Sequence, residues 1–88
     1  MLNLGRISYQ GYCQDARGII GASLVYDRSY GIYDVEQCAV KCSTDTMYGC
    51  VAFAYKAPNK YCGLFRGGPY TTGDGNPDIT CYLMEGGI

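Results

Sequence analysis

Six cysteines, at positions 13, 38, 42, 50, 62 and 81, constrain this 88-residue chain more than any other feature of it. A chain of this size buries only about 60–65% of the surface it exposes when unfolded, so a hydrophobic core alone holds it marginally. An even number of cysteines in so short a chain reads as a disulfide framework, and such frameworks belong to oxidising, extracellular or cell-surface settings. Six cysteines admit fifteen pairings, and spacing does not choose among them. A zinc knuckle of Cys38, Cys42, Cys50 and Cys62 is the competing reading. It lacks a C-x2-C pair and strands Cys13 and Cys81, so no metal site and no cofactor are expected. Without a C-x-x-C, a redox-active pair is not expected either.

Composition then removes whole classes of function. Histidine and tryptophan are both absent, which excludes a histidine-based triad and leaves catalysis to carboxylates. Asp15, Asp27, Asp45, Asp74 and Glu85 form no recognisable paired-carboxylate motif, and each reads as a cap, a turn or a solubilising residue. No enzyme is expected. Seven basic against eight acidic residues give a net charge of −1, without the positive footprint of a nucleic-acid binder. No uncharged stretch approaches the roughly 20 apolar residues that span a bilayer, so membrane insertion is not expected. Met1-Leu2-Asn3-Leu4-Gly5 lacks the basic and apolar regions of a secretory leader, so for an extracellular protein the expectation is that the leader has been removed or the chain was excised.

The segment from Tyr33 to Cys42 predicts one helix: Asp34 caps it, Glu36 suits the first turn and Gln37 reaches back. Val35, Cys38, Ala39 and Cys42 fall on one face, so both cysteines can tie the helix to a sheet beneath it. Five strands are expected, over Ile7 to Cys13, Ile19 to Tyr26, Cys50 to Lys56, Lys60 to Phe65 and Ile79 to Met84. Ala57-Pro58-Asn59 joins the third and fourth as a hairpin. Alternation within Cys50 to Tyr55 sets Val51, Phe53 and Tyr55 on one face and Cys50, Ala52 and Ala54 on the other, and the alanine face is expected to admit the helix. Gly67 to Asp78, rich in Gly, Pro, Asn and Asp, is expected to be a surface loop.

Taken in order, the helix with Cys38-x3-Cys42, the strand Cys50-Val51-Ala52-Phe53-Ala54-Tyr55, then Tyr61-Cys62-Gly63-Leu64-Phe65 and finally Cys81-Tyr82-Leu83 resemble the PAN/apple domain family. The resemblance implies an α+β, disulfide-stapled domain with one helix packed on a roughly five-stranded antiparallel sheet. It treats residues 1–88 as a single domain with its core at 13–83. It also implies the pairs Cys13 with Cys81, Cys38 with Cys62 and Cys42 with Cys50. Members of the family are extracellular modules that recognise proteins or carbohydrates and are not themselves catalytic. They share no ligand-binding motif, so only the cysteines carry over.

Ten tyrosines supply apolar faces with a hydroxyl, suited both to the core of a domain without tryptophan and to stacking on sugars or protein surfaces. Tyr12, Tyr55, Tyr61 and Tyr82, beside or alternating with strand cysteines, are the core candidates. Tyr26, Tyr30, Tyr33, Tyr48 and Tyr70, in turn-like contexts, are the surface candidates. Arg28, between Tyr26 and Tyr30, and Arg66, at a strand end before glycines, join them as possible recognition cations, against the plainer reading of solvated charges. Asp74-Gly75-Asn76-Pro77-Asp78 has a faint calcium-loop alternation without the rest of that motif. No N-glycosylation sequon occurs, and O-linked sugar on Ser29, Thr71 or Thr72 stays open.

Two functions follow. The first is an extracellular, non-enzymatic recognition or adhesion module binding an extracellular protein or glycan. The second is a self-assembling structural protein of a filament or surface coat, suggested by high Gly and Tyr, low charge and an exposable edge strand at Ile19 to Tyr26.

Overall fold

A computed structural model describes residues 8–15, 17, 25–45, 48–67 and 70–84. The capping expectation for the helix holds: α1 runs Val35–Ser43 with Asp34 at its N-cap. The Asp34 carboxylate accepts the Gln37 N–H at 2.9 Å, and the Gln37 side-chain oxygen accepts the Tyr33 N–H at 3.0 Å. Two N–H groups at the helix start are thereby satisfied by side chains. Cys38, Ala39 and Cys42 form the buried stripe.

Seven strands flank α1 in sequence: β1 (Ser8–Gln10), β2 (Cys13–Asp15) and β3 (Val25–Ser29) before it, β4 (Cys50–Lys56), β5 (Tyr61–Arg66), β6 (Tyr70–Gly73) and β7 (Thr80–Leu83) after it. Five make an antiparallel sheet in the order β1-β7-β4-β5-β3, and β2 pairs with β6 in a separate two-stranded sheet. Together with the helix this is an α+β architecture. The β4–β5 hairpin closes through a 3-10 turn at Ala57–Asn59 with Lys60 in the left-handed region. At the centre, Phe53 of β4 lies opposite Leu64 on one side and Tyr82 on the other, and its ring stacks on Tyr82 at 5.2 Å.

Each face of the five-stranded sheet carries its own core. Against the helix pack Cys38, Ala39, Cys42, Phe53, Cys62 and Leu64. On the other face Cys13, Ala52, Ala54, Phe65, Tyr70 and Ile79 pack beneath the β2–β6 sheet. Disulfides cross both layers: Cys38–Cys62 and Cys42–Cys50 fasten the helix to the sheet, and Cys13–Cys81 fastens β2 to β7. In the chain-entropy account, loops of these lengths contribute about 3, about 2 and about 4 kcal/mol respectively.

Four expectations are corrected. The helix sits on the Phe53 face of β4, and the alanine face receives the small sheet. A register shift between Cys50 and Ala52 is the reason, because a bulge exchanges the two residues before it. Cys50 therefore turns toward α1 and Val51 toward the other core. The expected strand Ile7 to Cys13 is broken in two at Gly11, whose φ is +102°, and Ile7 itself lies outside the described residues. A side chain at Gly11 would meet the Asp74 carboxylate at 2.1 Å and the Gly75 backbone at 2.5 Å, so the chain turns where only glycine fits. The expected loop 67–78 contains β6, paired with β2. The strand expected at Ile19 to Tyr26 is observed over Val25–Ser29, and residues 19–24 lie outside the described residues.

Candidate functional site

Three of the surface candidates, separated by up to 40 residues, meet at the helix-side end of the sheet. A register shift between Val25 and Asp27 places both Tyr26 and Asp27 toward the helix. Tyr48 follows α1 on the turn into β4, and Arg66 ends β5 on the same face. The Tyr26 and Tyr48 rings lie 5.3 Å apart, and the Arg66 guanidinium sits 5.6 Å and 5.3 Å from their centroids. Stacking of this kind orients a guanidinium without occupying its N–H donors. The Arg66 guanidinium makes no hydrogen bond or ion pair with a described side chain, and the Arg66 backbone carbonyl is engaged by the Tyr70 hydroxyl.

Asp45 organises the cluster, and sequence reading had assigned it no role beyond a cap, turn or solubilising residue. Its carboxylate accepts the Tyr26 hydroxyl at 2.6 Å and the Tyr48 N–H at 3.2 Å, so one residue positions both rings. Burial first, and then the Asp45 carboxylate, hold the Tyr26 phenol well above the ordinary phenol range. The phenol is therefore a fixed hydrogen-bond donor. Asp27 faces Lys41 of the helix at 3.6 Å, giving the patch two cations and two carboxylates. Tyr48 is half exposed and Arg66 exposed, so both present themselves to solvent. An open depression of about 200 Å³ runs along the edge strand at Val25, Tyr26, Asp27 and Arg28, sharing Tyr26 with this cluster.

The remaining candidates go elsewhere. Arg28 and Tyr30 lie on the opposite face of the sheet, around Tyr61. The Tyr61 ring meets Tyr30 edge-on at 5.4 Å and Tyr12 at 6.1 Å, and its hydroxyl bonds to Arg28. Opposite Arg28, Gly63 makes room for this ring, since a side chain there would meet the Tyr61 hydroxyl at 2.6 Å. Tyr33 is exposed beside Lys60, whose ammonium is 5.8 Å from its centroid. Of the expected core tyrosines, Tyr61 is buried, whereas Tyr12, Tyr55 and Tyr82 are half-buried at the margins of the cores.

Tyr70 is corrected outright. It is buried, its ring packs edge-on against Phe65, and its hydroxyl donates to the Arg66 carbonyl. The reason is β6, which carries Tyr70 into the layer between the two sheets. The β-favouring run Tyr70-Thr71-Thr72 was the available signal, hidden among turn residues. In the 74–78 segment, Asp74 accepts N–H groups of Tyr12 and Asn76, and Asn76 accepts that of Asp78. Those oxygens tie down loop backbone in Asx turns. All six cysteines are in disulfides, which overturns the zinc alternative.

With this geometry in place, comparison adds one positive finding: the family model described as the PAN domain matches residues 13–87. No curated protein and no solved structure matches the chain.

Proposed function

The chain belongs to the PAN domain family, and on that premise we propose that it is an extracellular, non-enzymatic recognition module that binds a protein or carbohydrate through the surface of Tyr26, Tyr48 and Arg66. PAN domains are in general protein- or carbohydrate-binding modules of extracellular proteins. The observation that carries the assignment to this surface is Arg66, an exposed cation oriented by two tyrosine rings and without a hydrogen-bond partner among the described residues. Oriented aromatic and arginine side chains are the groups that dominate recognition interfaces, because they offer large contact area and directed donors at low entropic cost. Three disulfides suit a domain that works outside the cell.

The test is a screen of the oxidised protein against immobilised extracellular glycans and proteins, repeated with the Tyr48→Ala/Arg66→Ala double variant and with Tyr33→Ala as a control. Ligands retained by Tyr33→Ala and lost by the double variant support the reading. Ligands that survive the double variant overturn the assignment to this surface.

A second reading, a self-assembling structural protein of an extracellular filament or coat, is favoured by the position of β3. Among the described strands it lies at the edge of the five-stranded sheet, next to β5. An edge strand offers backbone donors and acceptors to another chain. Light scattering over a concentration series separates the two: a constant 9.6 kDa species excludes assembly, and growth into large ordered particles supports it.

A further inference from the structure

We propose that Tyr48 and Arg66 form a subsite for a sugar acid, a pyranose carrying a single carboxylate, with the ring's C–H face on Tyr48 and the carboxylate in the Arg66 fork. This deepens the recognition reading and rests on it. The argument begins with the cation. A guanidinium presents planar paired donors that match a carboxylate, and that of Arg66 is held 5.6 Å and 5.3 Å from the Tyr26 and Tyr48 ring centroids. The two carboxylates of the patch are engaged elsewhere, Asp45 with the Tyr26 hydroxyl and the Tyr48 N–H, and Asp27 with Lys41. Among the described residues no carboxylate faces the Arg66 guanidinium as an ion pair, so it can take an anion from a ligand.

The surroundings narrow the class. Among the described residues on the helix side, Arg66 and Lys41 are matched by Asp27 and Asp45, so no excess of positive charge gathers there, and the whole chain carries −1. A run of like negative charges, as in a sulfated polymer or an acidic peptide, would set its second and third charges against Asp27 and Asp45. A ligand with one negative charge among hydroxyls meets no such repulsion. Its hydroxyls are donors, and the half-exposed Asp27 carboxylate, with one ion pair, has acceptor positions to receive them. The half-exposed ring of Tyr48 provides a flat apolar contact with a polar edge. Tyr26, which packs on Tyr48, also lines an open depression of about 200 Å³ along β3, smaller than the pockets that enclose drug-sized ligands.

The experiment is a nuclear magnetic resonance titration of the oxidised, isotope-labelled protein with methyl glucuronide and, separately, methyl glucoside, which differ only in the carboxylate. The glucuronide should bind at least about tenfold more tightly, the value of one charge-assisted hydrogen bond. Its shifts should centre on Tyr48 and Arg66. Arg66→Gln should erase the preference while leaving the weak glucoside binding, and Arg66→Lys should recover only part of it. Arg66 is exposed, so these variants keep the fold, which an unchanged spectrum away from the patch verifies. Equal affinity for the two sugars, no binding of either, or a preference that survives Arg66→Gln overturns the proposal. So does tighter binding of a glutamate-rich peptide at Arg66. A neutral glycan or a protein captured through Tyr48 in the screen above would leave the recognition reading standing while this one falls.

Discussion

The two faces of the five-stranded sheet solve the same covering problem differently. On one, a nine-residue helix is fastened by two disulfides that close short loops, 24 and 8 residues in separation. On the other, a two-stranded sheet is held by the single bond Cys13–Cys81, which spans 68 residues. Polar groups pair on both faces, Tyr26 with Asp45 and Asp27 with Lys41 on the helix side, and the difference lies in one cation. Opposite the helix, Arg28 bonds the Tyr61 hydroxyl, the Tyr70 hydroxyl donates to the Arg66 carbonyl, and Asp15 pairs with Arg17. On the helix side, the Arg66 guanidinium packs on two tyrosine rings and has no hydrogen-bond partner among the described residues. A face whose polar groups answer one another holds the fold, and a face with an oriented donor left over can meet a ligand.

The strongest way to break this contrast is to remove the staples in turn. Replacing Cys13 and Cys81 together by alanine should cost about 4 kcal/mol, enough to unfold a domain of this size near body temperature, whereas replacing Cys42 and Cys50 should cost about 2. Denaturant unfolding of the two variants measures both, and equal losses would abolish the distinction between the faces. Next in size is Gly11→Ala, which meets both a left-handed backbone and the Asp74 loop. A loss of about 2 kcal/mol is expected, confined in hydrogen exchange to the β2–β6 side.

Alkaline pH sharpens the comparison further. Burial is the largest cause raising the Tyr26, Tyr61 and Tyr70 phenols above their ordinary value. In the unfolded chain these groups ionise near pH 10, while in the fold they keep their protons to higher pH. Their stabilising contribution is complete below about pH 10 and declines as pH rises through the raised values. Ultraviolet titration should show these three phenols, and Tyr55, which burial also raises, ionising above the ordinary phenol value. Asp45→Asn should shift only Tyr26 back toward its ordinary value, because the Asp45 carboxylate acts on that phenol alone among the three.

The smallest effect on stability is expected at the proposed site. Tyr48→Ala and Arg66→Gln should each cost under about 0.5 kcal/mol in unfolding, the range of exposed positions, while removing ligand binding. A larger loss at Arg66 would make its stacking a structural device and weaken the contrast between the faces.

Much of the fold was legible because its signals are local. Asp34, Gln37 and the Cys38-x3-Cys42 spacing mark the helix through contacts made within two turns, and Ala57-Pro58-Asn59 marks the hairpin. The errors fall where a distant partner intervenes. A bulge at Cys50 reversed the assignment of the faces of β4, and pairing with β2 drew Tyr70 from an apparent loop into the core. The candidate site divides along the same line. Tyr26, Tyr48 and Arg66 were visible as residue types suited to recognition, but their meeting point was not, and Asp45, which positions two of them, gave no signal beyond that of a turn carboxylate.

By itself, then, the sequence determined a small cross-linked α+β domain with one capped helix, no histidine chemistry and a surplus of tyrosine, since composition, spacing and capping act over a few residues. Which face the helix covers, which tyrosines are buried, and which arginine packs on two tyrosine rings were decided only in three dimensions. Bulges change side-chain direction by a single residue, and strand pairing joins segments dozens of residues apart, so neither is specified by the residues that it moves.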